Sequence, residues 1–283
     1  MRFLVTGAGG MLGSAFMTGA QGHEVIGVNR DKLGMRNLDR IVGLAALHRA
    51  DVLINCAADT NVEAAEDNPA LAFWVNGEMP GLLAAGCEKA GAAMVQFSST
   101  GCYGAWKDVP YTEEDELRPT TVFHRSKVAG DEAVTKNCRA ALVLRTGWLF
   151  GGTMATPRNF VARRLENAQG KSELTADAFQ RGNPTLVDYV VRQTLLLLEK
   201  GVTGTFNCVA QGGASRAEYV RAIVEAAGLP CVVKDGPSFV RKAPVSPNEM
   251  GTNHRLATMG LDIMPEWHKS LTDYVVKLVA ASV

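Results

Sequence analysis

Short apolar runs alternate with longer stretches of helical period through the first 150 residues of the chain. Segments 2–6, 24–28, 51–55, 94–98 and 141–145 read as strands, each about five residues of mainly branched or apolar side chains. Segments near 11–20, 66–90 and 121–137 carry the wider spacing of helices. Strand–helix alternation of this kind predicts α/β architecture: a doubly wound, Rossmann-type parallel sheet with helices on both faces.

Beyond Phe150 the pattern loosens. Gly151-Gly152 and Pro157 interrupt it, a helical stretch follows near 159–169, and Gly182-Asn183-Pro184-Thr185 makes another turn. A helix at 187–200 and a strand at 205–209 come next. A helix over 215–227 then opens with Ser215 and Glu218 at capping-box spacing. Pro237, Pro244 and Pro247 mark an irregular stretch. The expected organisation is a dinucleotide-binding domain over 1–150, with 185–210 returning to it. The remainder of 151–283 is expected to form mainly a smaller C-terminal substrate lobe.

Of 283 residues, 47% are hydrophobic and 20% charged, which excludes a disordered or fibrous chain. Lys plus Arg and Asp plus Glu each total 29, so no basic excess exists to neutralise a phosphate backbone and nucleic acid is not the expected partner. Six cysteines stand singly, with no C-x-x-C pair, as in a protein of a reducing compartment. No uncharged apolar run reaches the ~20 residues of a membrane helix, and none near the N-terminus suits a signal peptide. The expectation is a cytoplasmic protein with no membrane partner. The histidines lack metal-ligand spacing, so no metal is expected either.

The first strand runs directly into Thr6-Gly7-Ala8-Gly9-Gly10-Met11-Leu12-Gly13. Glycines 7, 10 and 13, between a strand and a helix, let the backbone approach a pyrophosphate while the helix N-terminus offers free N–H groups. The second strand ends in Asn29-Arg30, where an acidic residue would grip ribose hydroxyls. Asn29 and Arg30 suit a 2′-phosphate instead, which favours NADP and leaves NAD open.

The turn resembles that of the extended short-chain dehydrogenases/reductases, and further motifs narrow the resemblance to the dTDP-4-dehydrorhamnose reductase family. They are Asn55-Cys56-Ala57-Ala58-Asp59-Thr60-Asn61-Val62-Glu63, Trp74-Val75-Asn76, Phe97-Ser98-Ser99-Thr100, Arg145-Thr146-Gly147-Trp148-Leu149-Phe150-Gly151, Asn159-Phe160-Val161, Gly182-Asn183-Pro184-Thr185 and Met264-Pro265-Glu266-Trp267. Together they span nearly the whole chain. The resemblance implies NAD(P)H-dependent reduction of the 4-keto group of a nucleotide-linked 6-deoxyhexose. A nucleotide sugar is the implied partner, with a homodimer left open. Cofactor contacts are implied for Gly7, Gly10, Met11, Leu12, Gly13, Asn29, Arg30, Ala57, Ala58, Thr60 and Lys127. The implied substrate contacts are Ser99, Tyr103, Trp148, Asn159 (beside Arg158) and Thr185.

The family's chemistry uses a tyrosine four residues before a lysine on one helix, with a Ser/Thr hydroxyl orienting the carbonyl. Lys127 matches the lysine and Thr100 is taken as the hydroxyl, but Phe123 stands at the tyrosine position and has no proton to give. Three readings fit. Another group can serve as acid: His124, three residues from Lys127 on the same helical face, or Tyr103. The chain can have lost catalysis and kept cofactor binding, as some family members that act as regulatory subunits have done. Or Phe123 is an engineered substitution.

Overall fold

Side chains that alternate along each strand find a hydrophobic layer on either side of one sheet, and this sets the architecture. In the computed structural model, which describes residues 1–29 and 37–281, the sheet strands of the first half are β1 (Arg2–Thr6), β2 (Glu24–Val28), β3 (Val52–Asn55), β4 (Ala93–Ser99) and β5 (Ala141–Thr146). Phe3 and Val5 of β1 face one layer, with Phe16, Ile54, Val95 and Val187. Leu4 faces the other, with Ile41, Leu53, Leu83 and Val143. Every side chain of β3 and β5 is buried, as covered parallel strands require.

The later strands are β6 (Trp148–Phe150), β7 (Glu173–Asp177), β8 (Arg181–Gly182), β9 (Pro184–Leu186), β10 (Gly204–Cys208), β11 (Ala214–Ser215) and β12 (Val232–Gly236). The six-stranded sheet has the order β10-β5-β4-β3-β1-β2, every neighbouring pair parallel. The order reverses between β1 and β3, so a crevice opens at their carboxyl ends, where open α/β sheets bind ligands. The short pairs β6–β9, β7–β12 and β8–β11 lie outside this sheet. Helices Phe160–Ala168, Arg216–Ala226 and Trp267–Ala280 pack with them around Phe150, Tyr219, Ile223, Leu271 and Val275. Ser215 and Glu218 form the full capping box.

The expected helix over 66–90 is instead four pieces: Val62–Asp67, Pro69–Phe73, a wide π turn at Trp74–Glu78, and Met79–Ala90. Proline explains both breaks. Asn68 caps a new start at Pro69, and Pro80 has no N–H to give the Asn76 carbonyl, against which its ring would clash in a regular helix. Asn76 is thereby turned inward, where Oδ1 accepts from the Asp59 N–H at 2.9 Å and Nδ2 donates to Ser126 Oγ at 3.1 Å.

Two contacts tie distant parts of the chain. Glu63 Oε2 accepts from the backbone N–H groups of Lys242 and Ala243, each at 3.1 Å, and the Lys242 ammonium pairs with Asp67. Elsewhere, Gly86 lies so close to helix Leu38–Leu47 that a Cβ would overlap the Val42 carbonyl oxygen. Gly86→Ala is expected to destabilise the fold by about 1–3 kcal/mol, since only a shift of backbone relieves the clash. An unchanged urea midpoint would contradict this. No helix among the described residues is long and apolar enough to cross a membrane.

Candidate active site

The crevice between the carboxyl ends of β1 and β3 opens into a cavity of about 480 Å³. The glycine turn forms its floor. Gly7 takes φ +64°, and a Cβ there would lie 2.8 Å from the Ala57 nitrogen. At Gly13 a Cβ would overlap the Gly7 carbonyl oxygen. Helix Met11–Gly19 therefore starts hard against the strand end, leaving its first N–H groups beside open space. Asn29 braces the turn, its Oδ1 accepting from the Gly9 N–H at 3.0 Å. Arg30 lies outside the described residues. Below the floor, the Thr6 hydroxyl donates to Asn55 Oδ1 at 2.5 Å and Asn55 Nδ2 to Gln96 Oε1 at 2.7 Å, a buried polar chain across β1, β3 and β4.

Of the sequence-derived cofactor residues, Gly10, Met11, Leu12, Ala57, Ala58, Thr60 and Lys127 line the cavity. Ser99 and Phe123 do so as well. Lys127 comes from helix Val122–Asn137, which Thr121 caps through the His124 N–H. It is 5% exposed and its Nζ donates to the Phe97 carbonyl. Burial pulls the ammonium below its ordinary value, and Asp131 opposes that shift. Burial also lifts the Asp131 carboxyl to about 6 while the Ser98 hydroxyl, donating to it at 2.6 Å, favours the ionised form.

His124 is 3% exposed and held on two sides. Nδ1 is 3.0 Å from Thr121 Oγ1, and Nε2 is 3.3 Å from Ser99 Oγ and 3.8 Å from Glu249 Oε1. Burial lowers its basicity, Glu249 raises it and Lys127 lowers it, for a net shift below the ordinary histidine value.

Several sequence-derived residues stand elsewhere. Thr100 is 1% exposed, absent from the cavity wall, and its hydroxyl donates to the Thr146 carbonyl at 3.4 Å; of the adjacent pair it is Ser99 that lines the wall. Ser99 is the last residue of β4, whereas Thr100 opens the tight 3-10 turn Thr100–Tyr103, all of whose residues are buried. Tyr103 is fully buried, stacked on Tyr111 and bonded to Asn207 and Arg145, so it has no route to the cavity as a donor. Asn159 caps helix Phe160–Ala168, with Nδ2 spent on Gly151, Thr153 and Tyr274. Thr185 is fully buried between the Asn183 carbonyl and the Ala210 N–H. Arg158, beside Asn159, does line the cavity and donates to Thr60 Oγ1 at 2.7 Å.

Trp148 lies off the cavity wall, under the Arg216 guanidinium, which sits 3.3 Å from its ring centroid, and donates through Nε1 to Glu249 Oε2 at 2.8 Å. Sequence reasoning missed Arg216 and Glu249. Burial lowers Arg216 to about 10. Arg164 Nε and the Tyr219 hydroxyl close by are buried without a hydrogen-bond partner. Glu249 follows Pro247-Asn248 in a stretch with no period, so no local signal marks it.

Comparison with known proteins matches residues 1–280 to the family described as RmlD substrate binding domain. A dTDP-4-dehydrorhamnose reductase of Mycolicibacterium smegmatis is 34% identical over 291 residues, covering 99% of this chain and 87% of that one. A crystal structure of a dTDP-4-dehydrorhamnose reductase from Clostridium acetobutylicum is 29% identical with a TM-score of 0.94, covering 98% of this chain and 99% of the other. The Bacillus anthracis dTDP-4-dehydrorhamnose reductase, solved in complex with NADP, gives a TM-score of 0.92 at 24% identity, with coverage of 98% and 99%.

Proposed function

The chain belongs to the RmlD substrate-binding-domain family, and from that premise we propose that it is an NADPH-dependent oxidoreductase of the extended short-chain type. Its reaction is reduction of the 4-keto group of a nucleotide-linked 6-deoxyhexose. The observation that carries this reading is a single cavity in which the glycine turn, Ser99 and the buried Lys127 share a wall. The turn fits a dinucleotide: a Cβ at Gly7 or Gly13 would close the space that lets strand end and helix start meet a pyrophosphate. When bound, the nicotinamide supplies the hydride.

The chain's own residues do the rest. Lys127, desolvated and held by the Phe97 carbonyl, presents a fixed positive charge to ribose hydroxyls and to oxygen charge developing nearby. Ser99 Oγ, at the carboxyl end of β4, orients the carbonyl. Phe123 covers that position with an apolar ring. Arg216 and the half-buried Arg164 are the guanidinium groups we assign to the sugar's diphosphate, supported by the buried, unpartnered Arg164 Nε. All six cysteines are free thiols, in keeping with a cytoplasmic setting.

A single-turnover assay with NADPH and a dTDP-4-keto-6-deoxyhexose tests the reading, run beside Phe123→Tyr. Ketone-dependent loss of NADPH absorbance is expected from the parent. The tyrosine variant is expected to be faster by about 10²-fold, the usual contribution of a positioned acid. Tight NADPH binding with no oxidation by either protein would favour a non-catalytic, cofactor-binding role.

A further inference from the structure

Resting on that reading, we propose that the proton the missing tyrosine would give comes through Ser99, recharged by His124, with Glu249 as the residue that positions and charges the imidazole. Ser99 Oγ accepts from the Gly101 N–H at 3.1 Å, so its own proton is free to point into the cavity. His124 Nε2 stands 3.3 Å behind it. Glu249 Oε1 faces the same nitrogen at 3.8 Å while its other oxygen is fixed by Trp148 Nε1. Thr121 Oγ1 fixes Nδ1, so the ring cannot swing out of line. Gly101 completes the fit: a Cβ there would overlap the imidazole and lie 2.7 Å from Glu249 Oε1.

The step balances as follows. The carbonyl carbon gains hydride from reduced nicotinamide, and the carbonyl oxygen takes the Ser99 hydroxyl proton. The Ser99 oxygen takes the Nε2 proton of the imidazolium, leaving neutral His124, which regains a proton from the cavity through the Ser99 hydroxyl once product has left. Ketone, reduced cofactor and one proton become alcohol and oxidised cofactor. Ser99 is the catalytic residue here; His124 and Glu249 act through it.

The charged groups facing His124 are Glu249, from the stretch after Pro247, and Lys127, from its own helix; Arg216 faces Glu249 from beyond. Only the protonated ring can recharge Ser99, so the rate is expected to fall as pH rises through the His124 midpoint. Removing the carboxylate lowers that midpoint further.

The experiment is Glu249→Gln, which keeps an acceptor for Trp148, with Glu249→Asp as the conservative partner and His124→Gln as the control. Imidazole NMR titration of the cofactor-free protein is read beside single-turnover rates from pH 5 to 9. Expected for Glu249→Gln is a His124 midpoint and a rate profile both displaced by about one pH unit to lower pH. The aspartate variant should recover part of the displacement, and His124→Gln should be slower by about 10²-fold with a flat profile. Installing Phe123→Tyr should shrink the His124→Gln penalty, because the two donors serve the same oxygen. A parent that turns over with a profile unmoved by Glu249→Gln or His124→Gln overturns the relay and leaves the reductase reading intact. A parent that binds NADPH without ketone-dependent oxidation overturns both.

Discussion

Lys127→Met is expected to lower the single-turnover rate of NADPH oxidation by about 10³-fold while the protein stays folded. The lost factor lies in the range for groups that stabilise developing charge in a dry site. Methionine fills the same buried channel toward Phe97 with no charge to desolvate, but it leaves Asp131 without an opposing charge, so the thermal midpoint is expected to fall modestly at pH 7 and to recover toward the parent near pH 5. The change has a spectroscopic companion. Asp131, already lifted to about 6 by burial, loses the lysine that favours its ionised form, so its carboxyl should titrate at still higher pH. A variant that keeps the parental rate would remove Lys127 from the chemistry.

Gly13→Val is expected to lower NADPH affinity more than 100-fold and to destabilise the fold by about 1–3 kcal/mol. Its Cβ would overlap the Gly7 carbonyl oxygen and sit 2.9 Å from Ala8 Cα, so the obstacle is backbone on both sides. Helix Met11–Gly19 must then tilt away from β1, carrying its N–H groups off the cavity floor. Titrating NADPH fluorescence against the variant reads the loss directly. Affinity within a few-fold of the parent would show that the close approach is dispensable.

The sheet was the most legible part of the sequence because parallel strands covered on both faces read as short, nearly continuous apolar runs of about five residues. β1 and β2 match the pattern to the residue, and β4 and β5 run only one residue longer at one or both ends. Helices Leu38–Leu47 and Trp267–Ala280 have no counterpart in that pattern. The first is partly exposed and the second buries its stripe only against elements from elsewhere in the chain. The glycine turn was readable for the same reason as the strands: its demands are local. Ser99 and Thr100 were not separable, since which hydroxyl reaches the cavity depends on how β4 meets the helix Val122–Asn137. Asn159 and Thr185 looked like ligand contacts because polar residues at turns serve caps as readily as sites. Glu249 lies more than 100 residues from His124 in sequence, and only the fold brings them together.

The tie between Glu63 and the backbone of Lys242 and Ala243 joins residues about 180 apart in the chain. It has two parts that answer differently to solvent. The exposed Lys242–Asp67 pair weakens as ions crowd it, whereas the Glu63 bonds are to peptide groups and largely persist. Added salt is therefore expected to loosen the lysine end of this strap while the Glu63 end stays closed. The molecule then carries a clasp, one end of which takes its grip from the ionic medium.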